Sequence, residues 1–189
     1  AIQRKVEGQE VTASAPEQPR GQIIDLMEAL KASLAAKGGA SAAKAAGLYM
    51  ICTMSKHKAE AEGFADALML DYRGYVAELT GANVFLIRDG AIHTPTPDCF
   101  LNGLTRQTVI ELARARGFEV IERHITPEEL STFSECFITG SAAEVTPVAE
   151  MAGHHYRPGN ITGTLADDYS QLVRNKITLE QIRAGSKVS

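Results

Sequence analysis

The chain has 189 residues, 44% hydrophobic and 22% charged, which excludes a disordered or fibrous protein and suits one medium domain with an appendage. Nineteen Lys+Arg against 23 Asp+Glu give a net charge of -4, so no basic footprint demands nucleic acid. The longest uncharged run in an apolar stretch, Ala45 to Ser55, is far short of a membrane span. No apolar segment follows Ala1-Ile2-Gln3-Arg4-Lys5 to act as a signal peptide. Cys52, Cys99 and Cys136 are scattered, with no CxxC spacing. They read as small buried hydrophobes in a reducing, cytoplasmic compartment.

Residues 8 to 21, rich in Gly, Pro, Ser, Gln and Glu, read as a linker. Gln22 to Lys37 follows as an amphipathic helix with Ile23, Leu26, Met27, Leu30 and Leu34 on one stripe, stopped by Gly38-Gly39. An Ala-rich helix is expected from Ser41 to about Glu62, ending at Gly63. Asp71-Tyr72-Arg73-Gly74 predicts a first hairpin and Arg88-Asp89-Gly90 a second, between Asn83–Ile87 and Ala91–His93. Thr105 to Arg116 reads as an amphipathic helix closed by Gly117. Strands are expected at Glu119–Ile121, Glu135–Thr139 and Val145–Ala149. Thr126-Pro127-Glu128-Glu129 is a capping box, and Thr162–Arg174 and Leu179–Arg183 read as helices. Hairpins mixed with helices give an α+β (mixed α/β) class.

Several residues could carry chemistry. Lys44 is crowded by Ala and Ser, so a flat ligand could approach it closely. An amine shielded from water loses charge and gains nucleophilicity. The same pattern also describes a solvated lysine on an Ala-rich helix. Glu78 ends a predicted strand: it either faces solvent or pairs with a protonated ring nitrogen. Gly103-Leu104-Thr105-Arg106 opens a helix, with Thr105 as N-cap or as part of an anion site made by free N–H groups. Gly140-Ser141-Ala142-Ala143-Glu144 is either a tight connection or a second set of donors. His154-His155 lies on an extended segment, where adjacent side chains diverge. No acidic partner has ligand spacing, so no metal site is expected.

In their order, these segments carry a resemblance. Ser41-Ala42-Ala43-Lys44-Ala45-Ala46-Gly47-Leu48-Tyr49 and Gly74-Tyr75-Val76-Ala77-Glu78-Leu79-Thr80-Gly81-Ala82-Asn83-Val84-Phe85 resemble the class IV (fold type IV) pyridoxal-phosphate aminotransferases. Leu101-Asn102-Gly103-Leu104-Thr105-Arg106 and Thr139-Gly140-Ser141-Ala142-Ala143-Glu144-Val145-Thr146-Pro147-Val148 extend the match. The likeness is to branched-chain-amino-acid aminotransferase and spans about Ser41 to Arg174. It implies the large C-terminal domain of the fold that D-amino-acid aminotransferase shares. It also implies transamination of branched-chain L-amino acids with 2-oxoglutarate, using pyridoxal 5'-phosphate.

The resemblance further implies that Lys44 attaches the cofactor and shuttles the α-proton, while Glu78 pairs with the pyridine nitrogen. Tyr49 would hydrogen-bond the ring oxygen and Leu101 would pack on the ring face. Gly103, Leu104, Thr105 and Ser141 would hold the phosphate. Ala142 and Ala143 would receive the substrate. Ser141 stands where a threonine is usual, and Leu79 where a small residue is usual. Residues 1–40 do not resemble the family's N-terminal domain. Arg4–Glu10, the linker and Ile23–Leu34 resemble instead the C-terminal tail of bacterial Ku. Its DNA-encircling core lies elsewhere, and five basic residues balance five acidic ones here. The expected organisation is thus residues 1–40 as a Ku-tail-like linker and helix and 41–189 as the cofactor-binding domain. The expected state is a homodimer with small-molecule partners only. The competing reading is an inactive cofactor-binding fragment whose N-terminal helix serves protein interaction.

Overall fold

The structure, a computed structural model, describes residues 46–185. The chain divides into two units, residues 1–38 and 39–189, and the described residues all belong to the second. The expected helix over Gln22–Lys37 and the Ku-like segment lie outside the described residues.

Helix α1 (Ala46–Ala61) leads into a hairpin of β1 (Leu68–Leu70) and β2 (Val76–Leu79). Gly74 takes φ +89° at its turn, and Asp71 Oδ1 accepts the N–H groups of Arg73 (2.8 Å) and Tyr75 (3.0 Å). A positive φ is open to Gly at no steric cost, which is why the sequence signal was readable. The second hairpin joins β3 (Asn83–Arg88) to β4 (Ala91–Pro95), with Arg88 facing Ala91. Asp89 (φ +54°) and Gly90 (φ +80°) are both left-handed, as a twisted two-residue turn requires.

Helix α2 (Leu104–Ala115) then carries the chain over to β5 (Val120–Arg123), which pairs parallel to β4. A parallel pair needs such a crossover. A 3-10 helix (Pro127–Thr132) precedes β6 (Glu135–Gly140) and β7 (Glu144–Pro147). Strands β8 (Glu150–Met151) and β9 (His154–His155) form a small ribbon. Helices α3 (Asn160–Val173) and α4 (Leu179–Gly185) close the described chain. The main sheet runs β5-β4-β3-β6-β7, antiparallel apart from β4/β5. The mixed α/β class agrees with the sequence reading. No helix among the described residues is long and apolar enough to cross a membrane.

Strand β3 is central and has both faces covered, which is why its apolar run is unbroken rather than alternating. Phe85 and Ile87 pack with Phe137 towards Val109 and Leu112 of α2, Leu165 of α3 and Ile182 of α4. Val84 and Leu86 turn the other way, onto Val76, Leu79, Leu130, Cys136 and Tyr156. Phe85 and Phe137 stack at 4.8 Å.

Two expectations need correction, while the capping box at Thr126 with Pro127 at the helix start is present as expected, on a 3-10 helix. The N-cap of α2 is Gly103, not Thr105, and no side chain caps it. Gly103 is held extended by donating its N–H to Asn83 Oδ1 (3.3 Å), while Thr105 lies inside the first turn with its hydroxyl 3.4 Å from that of Tyr169. Only Cys136 is buried, its thiol pushed up to about 12 by burial. Cys52 and Cys99 are half-buried, Cys52 on a flank of α1 and Cys99 in a loop beside Arg73.

Phe85→Ala removes one ring of the stacked pair, and the site cannot collapse between two covered faces. It lowers the unfolding free energy by about 3–5 kcal/mol. Denaturant unfolding of the full chain checks this; a loss below about 1.5 kcal/mol contradicts the packing described.

Candidate active site

The sequence-predicted segments meet at one end of the main sheet. Strand β3 begins there with Asn83, β6 ends there with Gly140, and the segment leading from β4 to α2 passes over that end. Leu79 N–H bonds Ala82 O at 2.8 Å, making the tight connection from β2 to β3 that places Glu78 five residues before Asn83. Glu78 is half-buried; its Oε2 accepts from Asn83 Nδ2 at 3.0 Å. The same Nδ2 group donates to Leu101 O at 2.9 Å, and Asn83 Oδ1 accepts from Gly103 N–H. One buried amide therefore ties together the end of β2, the Leu101 segment and the start of α2.

Gly103 and Gly140 are small for a reason. A Cβ on Gly103 would come within 2.5 Å of Asn83 Oδ1. One on Gly140 would lie 3.3 Å from Gly81 O and close to the methyl groups of Ala82 and Ala143. The end of β6 at Gly140, from which the Ser141–Ala143 turn leaves, thus packs against the β2–β3 connection. Ser141 and Ala142 are exposed, and Ala143 is half-buried.

At the start of α2, the first turn has no acidic residue and no side-chain cap. Its first N–H groups, from Leu104 onward, have no partner in their own helix by geometry, and the first intrahelical bond is Gln107 N–H to Gly103 O. Such an end carries roughly half a positive charge. Leu104 is 82% exposed, whereas Leu101 is half-buried. Thr139, opposite Asn83 in the β3–β6 pairing, is buried, and its Oγ1 has no hydrogen-bond partner among the described residues.

Arg106 fixes this end of the helix. It is 1% exposed, and its guanidinium donates to Asn102 Oδ1, Pro95 O and Glu122 Oε2, each at 2.9 Å. A buried cation persists only with such partners. Sequence patterning alone assigns no role to Asn83 or Arg106. The signal for Asn83 is a polar residue directly ahead of the apolar run Val84–Ile87.

Cys52 of α1 lies on the Glu78 side: burial, then the Glu78 and Asp66 carboxylates, raise its thiol above the ordinary value. Leu79 packs into the core with Val84 and Leu86, away from the Glu78 carboxylate. Lys44 lies outside the described residues, and of Tyr49 only the backbone, within α1, is described. One cluster among the described residues has ligand spacing, Asp71, Asp98 and Cys99. Arg73 already supplies its cation, with Nη2 2.7 Å from Asp71, 2.8 Å from Asp98 and 3.6 Å from Cys99 Sγ. His154 and His155 form β9, half-buried and exposed, with His155 Nδ1 3.8 Å from Glu150.

A profile of the family described as amino-transferase class IV matches residues 10–151. The chain belongs to the class IV aminotransferases. Its match begins inside the segment set apart above as Ku-like. The chain is 42% identical over 137 residues to the branched-chain-amino-acid aminotransferase of Pseudomonas aeruginosa, covering 71% of this chain and 45% of that protein. Among solved structures it resembles the branched-chain aminotransferase of Thermoproteus uzoniensis with norvaline, at TM-score 0.69 and 41% identity over 71% of this chain and 46% of the other. It also resembles the branched-chain amino acid aminotransferase of Thermobaculum terrenum in its PLP form, at TM-score 0.69 and 36% identity over 75% and 47%. The chain spans about half the length of the relatives it matches. The fold is that of this aminotransferase family.

The contact between Gly103 and Asn83 gives a direct check of the site. Gly103→Ala forces Asn83 out of position and breaks the bridge on its acceptor side. Overpacking of this kind lowers stability by about 1–3 kcal/mol. An unchanged thermal unfolding midpoint would show that Asn83 has room to move.

Proposed function

We propose that residues 41–189 form the pyridoxal-phosphate-binding part of an aminotransferase acting on branched-chain L-amino acids and 2-oxoglutarate. The reading includes a cytoplasmic location, a homodimer and small-molecule partners only. One observation carries it: Glu78, the Leu101–Leu104 segment and the Gly140–Ala143 turn, distant in sequence, lie together at the Asn83 end of the sheet. The names of the similar proteins support the reaction and the cofactor.

The residues fit that cofactor. Its phosphate needs N–H donors free of competing acid, and the start of α2 offers them. Its ring nitrogen needs a carboxylate, and Glu78 is half-buried at the same sheet end. The buried, unpartnered Thr139 hydroxyl leaves a polar group still to be satisfied there. When bound, the cofactor supplies an electron sink for charge developing at the amino acid α-carbon.

The chain's own groups do the rest. Glu78 keeps a proton on the ring nitrogen by offering it a negative partner. Leu104 and Thr105 would bind the phosphate through N–H groups of the helix end that Gly103 positions, and Ser141 would add a hydroxyl. Leu101 would shield one ring face from water, and Ala142 with Ala143 would present backbone donors to the substrate carboxylate. On the family resemblance, Lys44 would hold the cofactor through its amine and move the proton at the α-carbon, and Tyr49 would donate to the ring oxygen.

Titration of the full chain with pyridoxal phosphate gives a visible absorbance band that Lys44→Ala abolishes. Borohydride reduction and peptide mapping then place the label on Lys44; label on another lysine overturns the assignment. Glu78→Gln keeps the cofactor but slows leucine:2-oxoglutarate transamination about 100-fold or more, the scale for losing one preorganised electrostatic contact. Unchanged turnover in the reconstituted variant removes Glu78 from the mechanism.

A further inference from the structure

Asn83 is 5% exposed and hangs from the rigid β3–β6 pairing, opposite Thr139. Its amide makes three bonds to three different segments. Nδ2 donates to Glu78 Oε2 at 3.0 Å and to Leu101 O at 2.9 Å, and Oδ1 accepts from Gly103 N–H at 3.3 Å. The partners fix which way the amide points. A flipped amide would set its oxygen against the Glu78 carboxylate and the Leu101 carbonyl, and its NH2 against the Gly103 N–H.

We propose that Asn83 is the positioning residue of the cofactor site, setting at once the carboxylate for the ring nitrogen, the segment for the ring face and the helix end for the phosphate. This rests on the function proposed above. An N–H donated to a carboxylate favours its charged form, so Asn83 orients Glu78 and also supports its negative charge. The bond to Leu101 O fixes the chain two residues before the N-cap. The bond from Gly103 holds that N-cap extended, so the N–H groups after it keep their direction. Asparagine alone among side chains of this size offers two donors and an acceptor in one plane. Aspartate has the shape but no donor, and faces Glu78 with like charge.

The test uses the full chain, with Asn83→Asp, Asn83→Ala and Leu165→Ala as a control that destabilises the core beneath α2 without touching the bridge. Amide hydrogen exchange without ligand reads the bridge itself. Exchange at residues 101–105 speeds at least tenfold in both Asn83 variants, relative to β5, and not in Leu165→Ala. Pyridoxal phosphate affinity falls at least tenfold in both, the scale of one charge-assisted bond. In Asn83→Asp the pH at which the bound cofactor's visible band changes also moves, which mere loss of stability does not produce. Wild-type protein that binds while both Asn83 variants bind equally well, with local exchange unchanged, overturns this inference and leaves the function reading standing. Wild-type protein with no Lys44-dependent binding overturns the function reading and the cofactor role with it. Where one variant is too unstable to bind, binding at wild-type strength by the other, with local exchange unchanged, overturns the inference.

Discussion

Burying the amide of Asn83 costs free energy unless its donors and acceptor are paired, and this requirement decides where the chain can go around it. The residue precedes the apolar run Val84–Ile87 of a strand covered on both faces. Sheet pairing brings Asn83 to a fixed place, and its partners must come there. The β2 end supplies a carboxylate, the approach to α2 supplies a carbonyl, and the N-cap supplies an N–H. Each partner also satisfies a need of its own, since a backbone group near the interior that lacks a partner is itself costly. The convergence of three sequence segments thus follows from polar satisfaction around one side chain.

A second buried polar group holds the other side of the same loop. Arg106 carries a full charge in a 1%-exposed position and reaches Pro95 O, Asn102 Oδ1 and Glu122. Its Nε already lacks a partner among the described residues, so losing any of these would leave the buried cation still less paired, and the loop between β4 and α2 is held at both ends. Hydrophobic packing sets the floor beneath it, through Val109 and Leu112 against Phe85 and Phe137. Apolar contacts are not directional, whereas these hydrogen bonds fix angles. Position comes from the core and orientation from the two polar anchors.

Much of this was legible in the residues. Asp89-Gly90 and Gly74 marked both hairpins because left-handed backbone selects a few residue types. The α2 helix and the strands followed from periodicity. The start of α2 was misplaced because Thr105 is a good cap in isolation, and nothing local shows that Gly103 is pinned by a side chain twenty residues earlier. The 3-10 form of Pro127–Thr132 also depends on its surroundings, with Glu129 divided between the Thr126 N–H and Arg123. The ordered motifs pointed to Glu78, Leu101, Gly103 and Ser141, and the geometry brings their segments to one end of the sheet. The roles of Asn83 and Arg106 were invisible because they reside in contacts between segments, not in any one of them.

The arrangement separates anchors from donors. Asn83, Thr105, Arg106 and Thr139 are buried, while Leu104, Ser141 and Ala142 are exposed beside them in sequence. This alternation lets one short stretch do two jobs. The bonds of Asn83 and Arg106 lock the backbone, and the N–H groups at the start of α2 keep their direction without a ligand to hold them. A donor set aimed beforehand need not reorganise when charge arrives, which is where most of an electrostatic advantage is otherwise lost. Glycine at 103 completes the logic, since the Asn83 amide oxygen lies 2.5 Å from where a Cβ would stand, and Gly140 fits closely against the Gly81 carbonyl. A methyl group at 103 would move the Asn83 anchor, and the donors at the start of α2 fixed by that anchor would turn with it.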